Sequence, residues 1–424
     1  MTVSKKLAAA ALFLAVCSGF MFSQEASGET ERPLSAGGRV IERVVVDGLK
    51  RTKPHVARRF LQKFIGRDAS SLDFDEVRAA VMDSGILNPL DVAVIDDSGT
   101  GETVLYVLVA EKWSIFPIPF VMASSGSVAA GGAFMDANAF GLNDKMMLAG
   151  MYSNRGWMAA AMYMNTPDRA EIPGWNLAGF YGSSEREDKD RNEHVFRRFT
   201  FSSVSARAGV NYAPAGPFSL AFGVSFNRYY LSGSEQALNP PASGAWTIGF
   251  GPSLAIRDSS WDGYFLSARS LSVSYTYNYG VDTPSYHSSR LSFNIEKSII
   301  PGFRMLLRSA LLYEDGAGIL FENSPASVQI NILPRDFSAR NYAGFSGGLE
   351  KYLARFSAGT LSILAAWEGV ISEGPVLGRC WDQGVFASVR FYLSKIAIPA
   401  LGMGYSYNIS GKQGSFMFSL GMGF

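Results

Sequence analysis

The feature that most restricts the fold is a two-residue alternation of apolar with small or polar side chains, which recurs from about residue 114 to the end of the chain. In residues 271–279, leucine, valine and tyrosine alternate with serine, threonine and asparagine. Residues 401–409 repeat the pattern with glycine, serine and asparagine as the small or polar partners. This period is typical of β-strands with one apolar face. Turns rich in glycine, proline, asparagine and aspartate separate the segments, as in a chain of antiparallel strands.

The number and length of these segments predict a mainly β fold, a transmembrane antiparallel β-barrel of roughly sixteen strands over residues 113–424. Unpaired backbone groups cannot face hydrocarbon, so such strands must close on themselves. Two long connections are expected, a strongly charged one at 185–197 and another at 315–340. The predicted strands are 114–122, 127–137, 143–153, 155–165, 175–184, 198–211, 217–230, 245–257, 266–280, 286–298, 302–314, 341–353, 356–370, 381–393, 396–408 and 413–424.

The first residues read as an export signal. Lys5 and Lys6 precede an almost unbroken apolar stretch from Leu7 to Phe22, which predicts a secretory signal peptide over residues 1–23. Cleavage after Ser18 or after Ser23 fits equally. A lipidated Cys17 is the competing interpretation, which the bulky Val16 before it disfavours. Residues 24–38 are expected to be a linker.

Residues 39–112 have a different pattern, that of a small α+β domain. Thr52 and Asp73 are the predicted N-caps of its two helices, because a side-chain oxygen there can accept a free N–H group of the first turn. Gly66 and Gly85 are positioned to end these helices. The predicted order is β-α-α-β-β, with a strand at 40–46, helices at 54–64 and 73–84, and strands at 90–95 and 103–109.

Composition argues against several classes of function. With 38 basic and 37 acidic residues the formal net charge is +1, so nucleic acid is not an expected partner. The three histidines are scattered without ligand spacing, so no metal site is predicted. No nucleophile elbow, phosphate loop or dinucleotide fingerprint is present, so neither enzymatic activity nor a cofactor is expected. Cys17 and Cys380 are the only cysteines, and no internal disulfide is expected.

The N-terminal pattern resembles a known module. The order β-α-α-β-β, together with Val46-Asp47-Gly48, Ser84-Gly85-Ile86-Leu87 and the closing stretch Val107–Lys112, resembles a POTRA (polypeptide-transport-associated) domain. Such domains precede the barrel in the BamA and two-partner-secretion superfamily. An unrelated α+β domain is the alternative interpretation.

Three stretches of the barrel region resemble the same superfamily. Asn138-Ala139-Phe140-Gly141 is similar to its Asn-x-Phe-Gly turn, and Arg257-Asp258-Ser259 with Gly263 to its Arg-Asp…Gly element. Arg340, Asn341 and Tyr342 are similar to its lid-loop motif, Val-Arg-Gly-Phe or Tyr. The resemblance implies that this loop folds into the lumen and that its arginine meets an acidic residue of the wall.

Alternation supplies candidates for that acidic partner. Glu368 and Asp382 fall on the predicted lumen face and are the expected partners of Arg340. The competing expectation is that Arg340 lies in an external loop and contacts solvent. The last residue, Phe424, resembles the C-terminal assembly signal of barrel proteins.

Pro117 and Pro119 lie two residues apart in the first predicted barrel strand, so both missing N–H groups fall on the same strand edge. If that edge faces the last strand, the closing seam is short of hydrogen bonds, as a lateral gate requires. If the prolines belong to the linker entering the barrel, they have no such effect.

Taken together, the resemblance implies an outer-membrane assembly factor with its N-terminal domain in the periplasm. Such a protein inserts, folds or translocates other outer-membrane polypeptides. Its implied partners are unfolded outer-membrane or secreted polypeptides, outer-membrane lipid and accessory lipoproteins. The chain has room for one POTRA-like module, fewer than the essential assembly factor normally carries. A dedicated two-partner-type secretion pore and a passive channel or structural barrel are the alternatives.

Overall fold

The structure is a computed structural model, and it describes most of the chain after residue 38. The expected signal peptide, the linker, Cys17 and Phe424 lie outside the described residues. The described ranges are 39–97, 99–124, 127–165, 172–214, 217–233, 237–261, 265–325, 330–334, 336–356, 359–374, 378–393 and 399–420.

The N-terminal module, residues 39–112, has the expected order of elements. Its central strand β3 pairs in parallel with β1 and antiparallel with β2, so β1 and β2 are the edges of a three-stranded sheet. Buried apolar side chains of both helices and the sheet form one core, which includes Leu61, Phe64, Val77, Leu105 and Val107. The elements are β1 (Arg43–Asp47), α1 (Pro54–Arg59), α2 (Phe74–Met82), β2 (Leu87–Asp96) and β3 (Thr103–Glu111).

The two helix starts differ from each other. Asp73 caps α2 as predicted, and its side chain accepts the N–H of Asp75 at 2.8 Å. The predicted cap at Thr52 is wrong: α1 starts after Lys53, which makes no side-chain capping bond. The Thr52 hydroxyl instead accepts a hydrogen bond from the side-chain amide of Asn138 in the barrel, at 2.9 Å. Among the described residues, no helix is long and apolar enough to cross a membrane.

Sixteen strands form the closed barrel, each antiparallel to the next, and β19 closes it against β4. Every predicted strand has a counterpart at nearly the predicted position. The strands are β4 (Ile115–Ser124), β5 (Ser127–Ala139), β6 (Asp144–Ser153), β7 (Gly156–Met164), β8 (Gly174–Lys189), β9 (Val195–Tyr212), β10 (Phe218–Ser232), β11 (Ala245–Trp261), β12 (Leu266–Gly280), β13 (Tyr286–Ile300), β14 (Phe303–Asp315), β15 (Asn341–Arg355), β16 (Gly359–Gly374), β17 (Gly378–Leu393), β18 (Pro399–Asn408) and β19 (Gln413–Leu420).

The charged connection predicted at 185–197 is largely strand. Because β8 continues to Lys189 and β9 begins at Val195, only residues 190–194 connect them. Arg186, Asp188 and Arg197 point inward and are buried. Charged side chains can occupy a strand face here because each finds an oppositely charged partner inside the barrel.

The inner wall is chemically divided. On β5, β6 and β7 it carries five buried methionines, Met135, Met147, Met151, Met158 and Met162. On β16, Ser362 and Glu368 point inward and are buried, whereas Ile363 and Trp367 point outward and are exposed. The outer face is therefore apolar, and the part of the inner face beside the seam is apolar as well.

Candidate functional site: the lumen loop, the closing seam and the module junction

The connection between β14 and β15, residues 316–340 and here called the lumen loop, folds back into the barrel. Leu320 and Phe321 pack among wall residues of β9, β10 and β13, including Phe199, Tyr229 and Tyr286. Further along the loop, Ile330, Ile332, Leu333, Phe337 and Ala339 pack against Leu312, Tyr342 and Val370. The described parts of the loop thus occupy the lumen at the end away from the N-terminal module, called the far end below.

Buried arginines of the wall hold the first half of the lumen loop. Arg186 on β8 donates to the carbonyl oxygens of Leu320 at 3.1 Å and Glu322 at 3.2 Å. Arg197 on β9 forms an ion pair with the Glu322 carboxylate at 2.9 Å. Asp188 accepts from both arginines at 2.7 Å. Two arginines and two carboxylates therefore form a balanced cluster, here called the loop latch.

A second arginine contact holds the end of the loop. Arg155, in the turn between β6 and β7, forms ion pairs with Asp336 of the lumen loop at 2.9 Å and with Glu187 of β8 at 2.7 Å. The side chains of Arg155 and Asp336 are 8% and 2% exposed. Their attraction is therefore screened less by water than that of a surface pair.

Glu368 on β16 holds the middle of the loop by its backbone. Its carboxylate accepts the N–H groups of Asn331 at 2.5 Å and Ile332 at 3.1 Å, and the side-chain amide of Asn331 at 3.1 Å. Ser346 donates a further hydrogen bond at 3.3 Å. Glu368 therefore fixes the loop as expected of an acidic wall residue, although its partners are amides and a hydroxyl.

Arg340 is not the arginine that anchors the loop, and this corrects the sequence-based expectation. Its side chain is exposed, and its backbone N–H donates to the carbonyl oxygen of Glu373 at 2.9 Å. Arg340 precedes the first residue of β15, so it lies at the rim, where its guanidinium can reach water. Of the other two motif residues, Asn341 donates to the Glu373 carboxylate at 2.9 Å and Tyr342 is buried among the loop residues.

Asp382 is buried on the inner face of β17, as alternation predicts, but among the described residues it does not meet Arg340. It accepts from the side-chain amide of Asn408 at 3.2 Å, and the Arg191 guanidinium lies 3.8 Å away. The charge arrangement of the latch is thus the reverse of the expected one, because both arginines belong to the wall and Glu322, which pairs with Arg197, belongs to the loop. The alternation across Arg186-Glu187-Asp188 was the signal that could have located these arginines.

A second buried network lies toward the module end of the lumen and was not anticipated from the sequence. Glu350 on β15 is fully buried and accepts from Arg304 at 2.7 Å, Ser362 at 2.5 Å and Tyr392 at 2.8 Å. Arg304 also pairs with Glu296 at 2.8 Å. The network joins β13 to β17 across the inside of the wall, so it stiffens this part of the barrel.

The seam between β19 and β4 closes the barrel. Its described part comprises four residue pairs, from Met417–Ser124 to Leu420–Val121, and residues 421–424 lie outside the described residues. Both prolines lie inside β4 and not in a linker. The carbonyl of Ser114, just before β4, accepts the N–H of Ala137 on β5, so the backbone groups of Ser114 point toward β5. The β4–β5 register has no shift, and successive residues of a strand point their backbone groups to opposite sides. The odd-numbered residues of β4, including Pro117 and Pro119, therefore point their backbone groups toward β19.

The module is joined to the barrel through the loop after β1. The Glu111 carboxylate accepts the backbone N–H groups of Lys50, Arg51 and Thr52 at 2.7–3.0 Å. Burial opposes ionisation of Glu111, but these N–H groups more than offset it, and the pKa of Glu111 lies below its usual range. The Arg51 guanidinium then reaches Asp136 on β5 at 2.8 Å.

The Asn-Ala-Phe-Gly turn between β5 and β6 is the barrel side of this junction. The carbonyl of Gly141 accepts the N–H of Lys53 at 2.9 Å. Gly141 has a φ of +73°, and a Cβ there would lie 2.0 Å from the carbonyl oxygen of Arg51. Only glycine fits both the backbone conformation and the close approach.

The remaining sequence motif, Arg257-Asp258-Ser259, lies at the module end of β11 with exposed side chains. Gly263 lies outside the described residues. In the described part of the chain, no group of three or more histidine, cysteine, aspartate or glutamate side chains could hold a metal ion.

Solved structures with the same fold are outer-membrane barrels. BamA from Haemophilus ducreyi lacking POTRA domains 1–3 has a TM-score of 0.66 at 12% identity, covering 90% of this chain and 84% of that one. CdiB from Acinetobacter baumannii has a TM-score of 0.60 at 12% identity, covering 90% and 74%. CdiB from Escherichia coli has 0.56 at 10% identity, covering 93% and 92%. No family model and no curated protein sequence matches the chain. At these identities the likeness establishes the fold.

Proposed function

We propose that this chain is an outer-membrane protein that inserts, folds or translocates other outer-membrane polypeptides, acting without catalysis through its seam. The observation that carries the proposal is the pair of prolines, Pro117 and Pro119, on the edge of β4 that faces β19, in a barrel with the fold of BamA and CdiB. The N-terminal module is proposed to be a POTRA domain in the periplasm, so the module end of the barrel is the periplasmic end.

The composition of the β4 edge supports lateral opening. A backbone hydrogen bond contributes a net ~0.5–1.5 kcal/mol, so each N–H group that the edge lacks weakens the seam by about that amount. Pro117 and Pro119 add carbonyl acceptors but no N–H donors on the edge that faces the seam. A client strand that donates its own N–H groups could therefore pair with this edge in place of β19.

The module has a free strand edge to which an extended client can add. With the order β1-β3-β2, the outer edge of β2 has no partner strand among the described residues. An extended polypeptide can add to such an edge through main-chain hydrogen bonds. The junction at Arg51 and Asp136 holds the module beside β4 and β5, the strands next to the seam. A client captured on β2 would be close to the place where it enters the barrel wall. Accessory lipoproteins and lipid remain proposed partners.

A dedicated secretion pore is the second candidate, which the likeness to two CdiB barrels over 90% and 93% of the chain favours. The two functions differ in the route of the client, sideways through the seam or along the lumen. The lumen route requires that the lumen loop leave its latch.

Controlled depletion of the chain, followed by quantitative profiling of the outer membrane and of secreted proteins, tests the proposal. A fall in many barrel proteins is the expected result. Loss of a single exported protein with an unchanged membrane profile would instead establish the secretion pore. An unchanged membrane and secretome would refute both and leave a passive barrel.

A further inference from the structure

A polar cavity of about 370 Å³ lies inside the barrel between β8–β13 and the lumen loop. Hydroxyl and amide side chains line much of its wall and can both donate and accept hydrogen bonds. They are Asn176, Ser225, Asn227, Ser253, Ser274, Thr276, Asn278 and Ser288. This wall contrasts with the methionine-lined wall of β5–β7.

Two arginines, Arg207 on β9 and Arg290 on β13, also line the cavity. Within the described residues, neither forms an ion pair with a carboxylate, whereas the inward arginines 155, 186, 197, 304 and 308 all do. The Arg207 Nε is buried and has no hydrogen-bond acceptor. Its guanidinium lies over the Phe180 ring at 5.6 Å, which orients it but satisfies none of its donors. The two arginines therefore line the cavity without a carboxylate in ion-pair contact, although Arg290 interacts at longer range with Glu314.

Glycine positions keep the cavity open. A Cβ at Gly249 would come within 2.6 Å of both the Ser225 hydroxyl and the Asn278 amide oxygen. Any larger residue would force these side chains aside and reduce the space between the arginines. Gly209 and Gly223 line the same wall.

Two carboxylates, those of Glu314 and Glu322, line the end of the cavity next to the lumen loop, here called its roof, and both already accept hydrogen bonds. Glu314 accepts from Ser288 at 3.2 Å and from Asn323 at 3.3 Å, and Glu322 belongs to the loop latch. Arg207 lies five residues before the module end of β9, at Tyr212. Arg290 lies four residues from the opposite end of β13, nearer the roof carboxylates. An anion that enters from the module end therefore reaches Arg207 before it reaches these carboxylates.

We propose that this cavity binds carboxylate side chains of an extended acidic polypeptide segment that enters from the module end. The inference rests on the proposed function, because it identifies the class of client segment that the lumen accepts. Arg207 and Arg290 would bind the carboxylates, and the hydroxyl and amide wall would bond the peptide backbone without selecting a particular sequence. A free or lipid-borne phosphate shares this anionic chemistry and is the competing source.

Isothermal titration of the full chain in detergent micelles tests the site. The probes are a peptide of alternating glutamate and serine, the same peptide with lysine for glutamate, and inorganic phosphate. The acidic peptide is expected to bind and the lysine peptide is not. Arg207→Gln should weaken binding at least tenfold, since the charge-assisted hydrogen bonds of the guanidinium are lost. Arg290→Gln should weaken it less, because this side chain is more exposed.

Arg257→Gln is the matched control, because this arginine lies outside the cavity and should leave the affinity unchanged. Heat-modifiable mobility in electrophoresis confirms that each variant is folded. Equal affinity of the wild type and the Arg207→Gln/Arg290→Gln double variant would overturn the proposal. Binding of phosphate without binding of the acidic peptide would also overturn it in favour of the phosphate source. Peptide binding that persists although depletion changes no membrane or secreted protein would refute the proposed function and leave the site standing.

Discussion

Glu322→Gln is expected to release the lumen loop. The latch contains two positive charges on Arg186 and Arg197 and two negative ones on Asp188 and Glu322, all at most 6% exposed. Removing one carboxylate leaves a net buried positive charge. Breaking a buried ion pair from one side costs ~3–5 kcal/mol. Even ~3 kcal/mol shifts the equilibrium between the latched and released loop about 150-fold.

Planar-bilayer conductance measures that equilibrium directly, since a released loop leaves the lumen more open. Glu322→Gln should show frequent wide openings that are rare in the wild type. Asp315→Asn is the matched control, because Asp315 is exposed at the end of β14, next to the same loop. It should conduct like the wild type.

The double variant Arg197→Met/Glu322→Gln tests whether the net buried positive charge is what releases the loop. It leaves Arg186 and Asp188 as a neutral pair, so it should open less often than Glu322→Gln alone. If Glu322→Gln conducts like the wild type, the latch does not hold the loop. If the double variant opens more than the single variant, the charge imbalance is not the cause.

Three further outcomes are expected. Gly141→Ala should detach the module from the barrel, because the new Cβ would lie 2.0 Å from the Arg51 carbonyl oxygen. Faster amide exchange over residues 48–53 would show the detachment. Gly150→Ala is the control, since its Cβ meets open space and should leave the exchange unchanged. Because the pKa of Glu111 is lowered in the folded chain, its stabilisation of the junction is present above the unfolded pKa, near 4.5, and is lost as pH falls through the folded value. Amide exchange of the same loop should therefore rise in acid, and Glu111→Gln should abolish that dependence; a pH-independent junction would contradict the clamp. Replacing Pro117 and Pro119 by alanine restores two N–H groups on the seam edge and should slow client insertion in reconstituted vesicles, and faster insertion would count against a weak seam.

Period-two alternation was sufficient to locate the barrel strands, since each strand must present one face to lipid and one to the lumen. The same alternation correctly placed Glu368 and Asp382 on the inner face. It failed for residues 185–197, where charge suggested a loop, because the partners of Arg186 and Arg197 include the lumen loop more than a hundred residues later. Such pairings depend on the folded barrel and leave no local signal.

The predictions at Thr52 and Arg340 failed for a related reason. Thr52 occupies a position where a helix cap is usual, but Asn138 of the barrel binds its hydroxyl. Arg340 matches a motif in order, yet β15 begins one residue later and leaves it at the rim. For Thr52 a contact distant in sequence decided the side chain's role, and for Arg340 the position at the start of β15 did.

The methionine-lined wall of β5–β7 has a chemical consequence beyond packing. A thioether side chain has three rotatable bonds, so this surface can change shape around different apolar groups without backbone movement. Oxidation of the same sulfur atoms would turn a flexible apolar side chain into a polar, chiral sulfoxide. With five such residues beside the seam, their oxidation would convert the most adaptable part of the lumen into a polar one. Reductive repair of these methionines would then restore the wall.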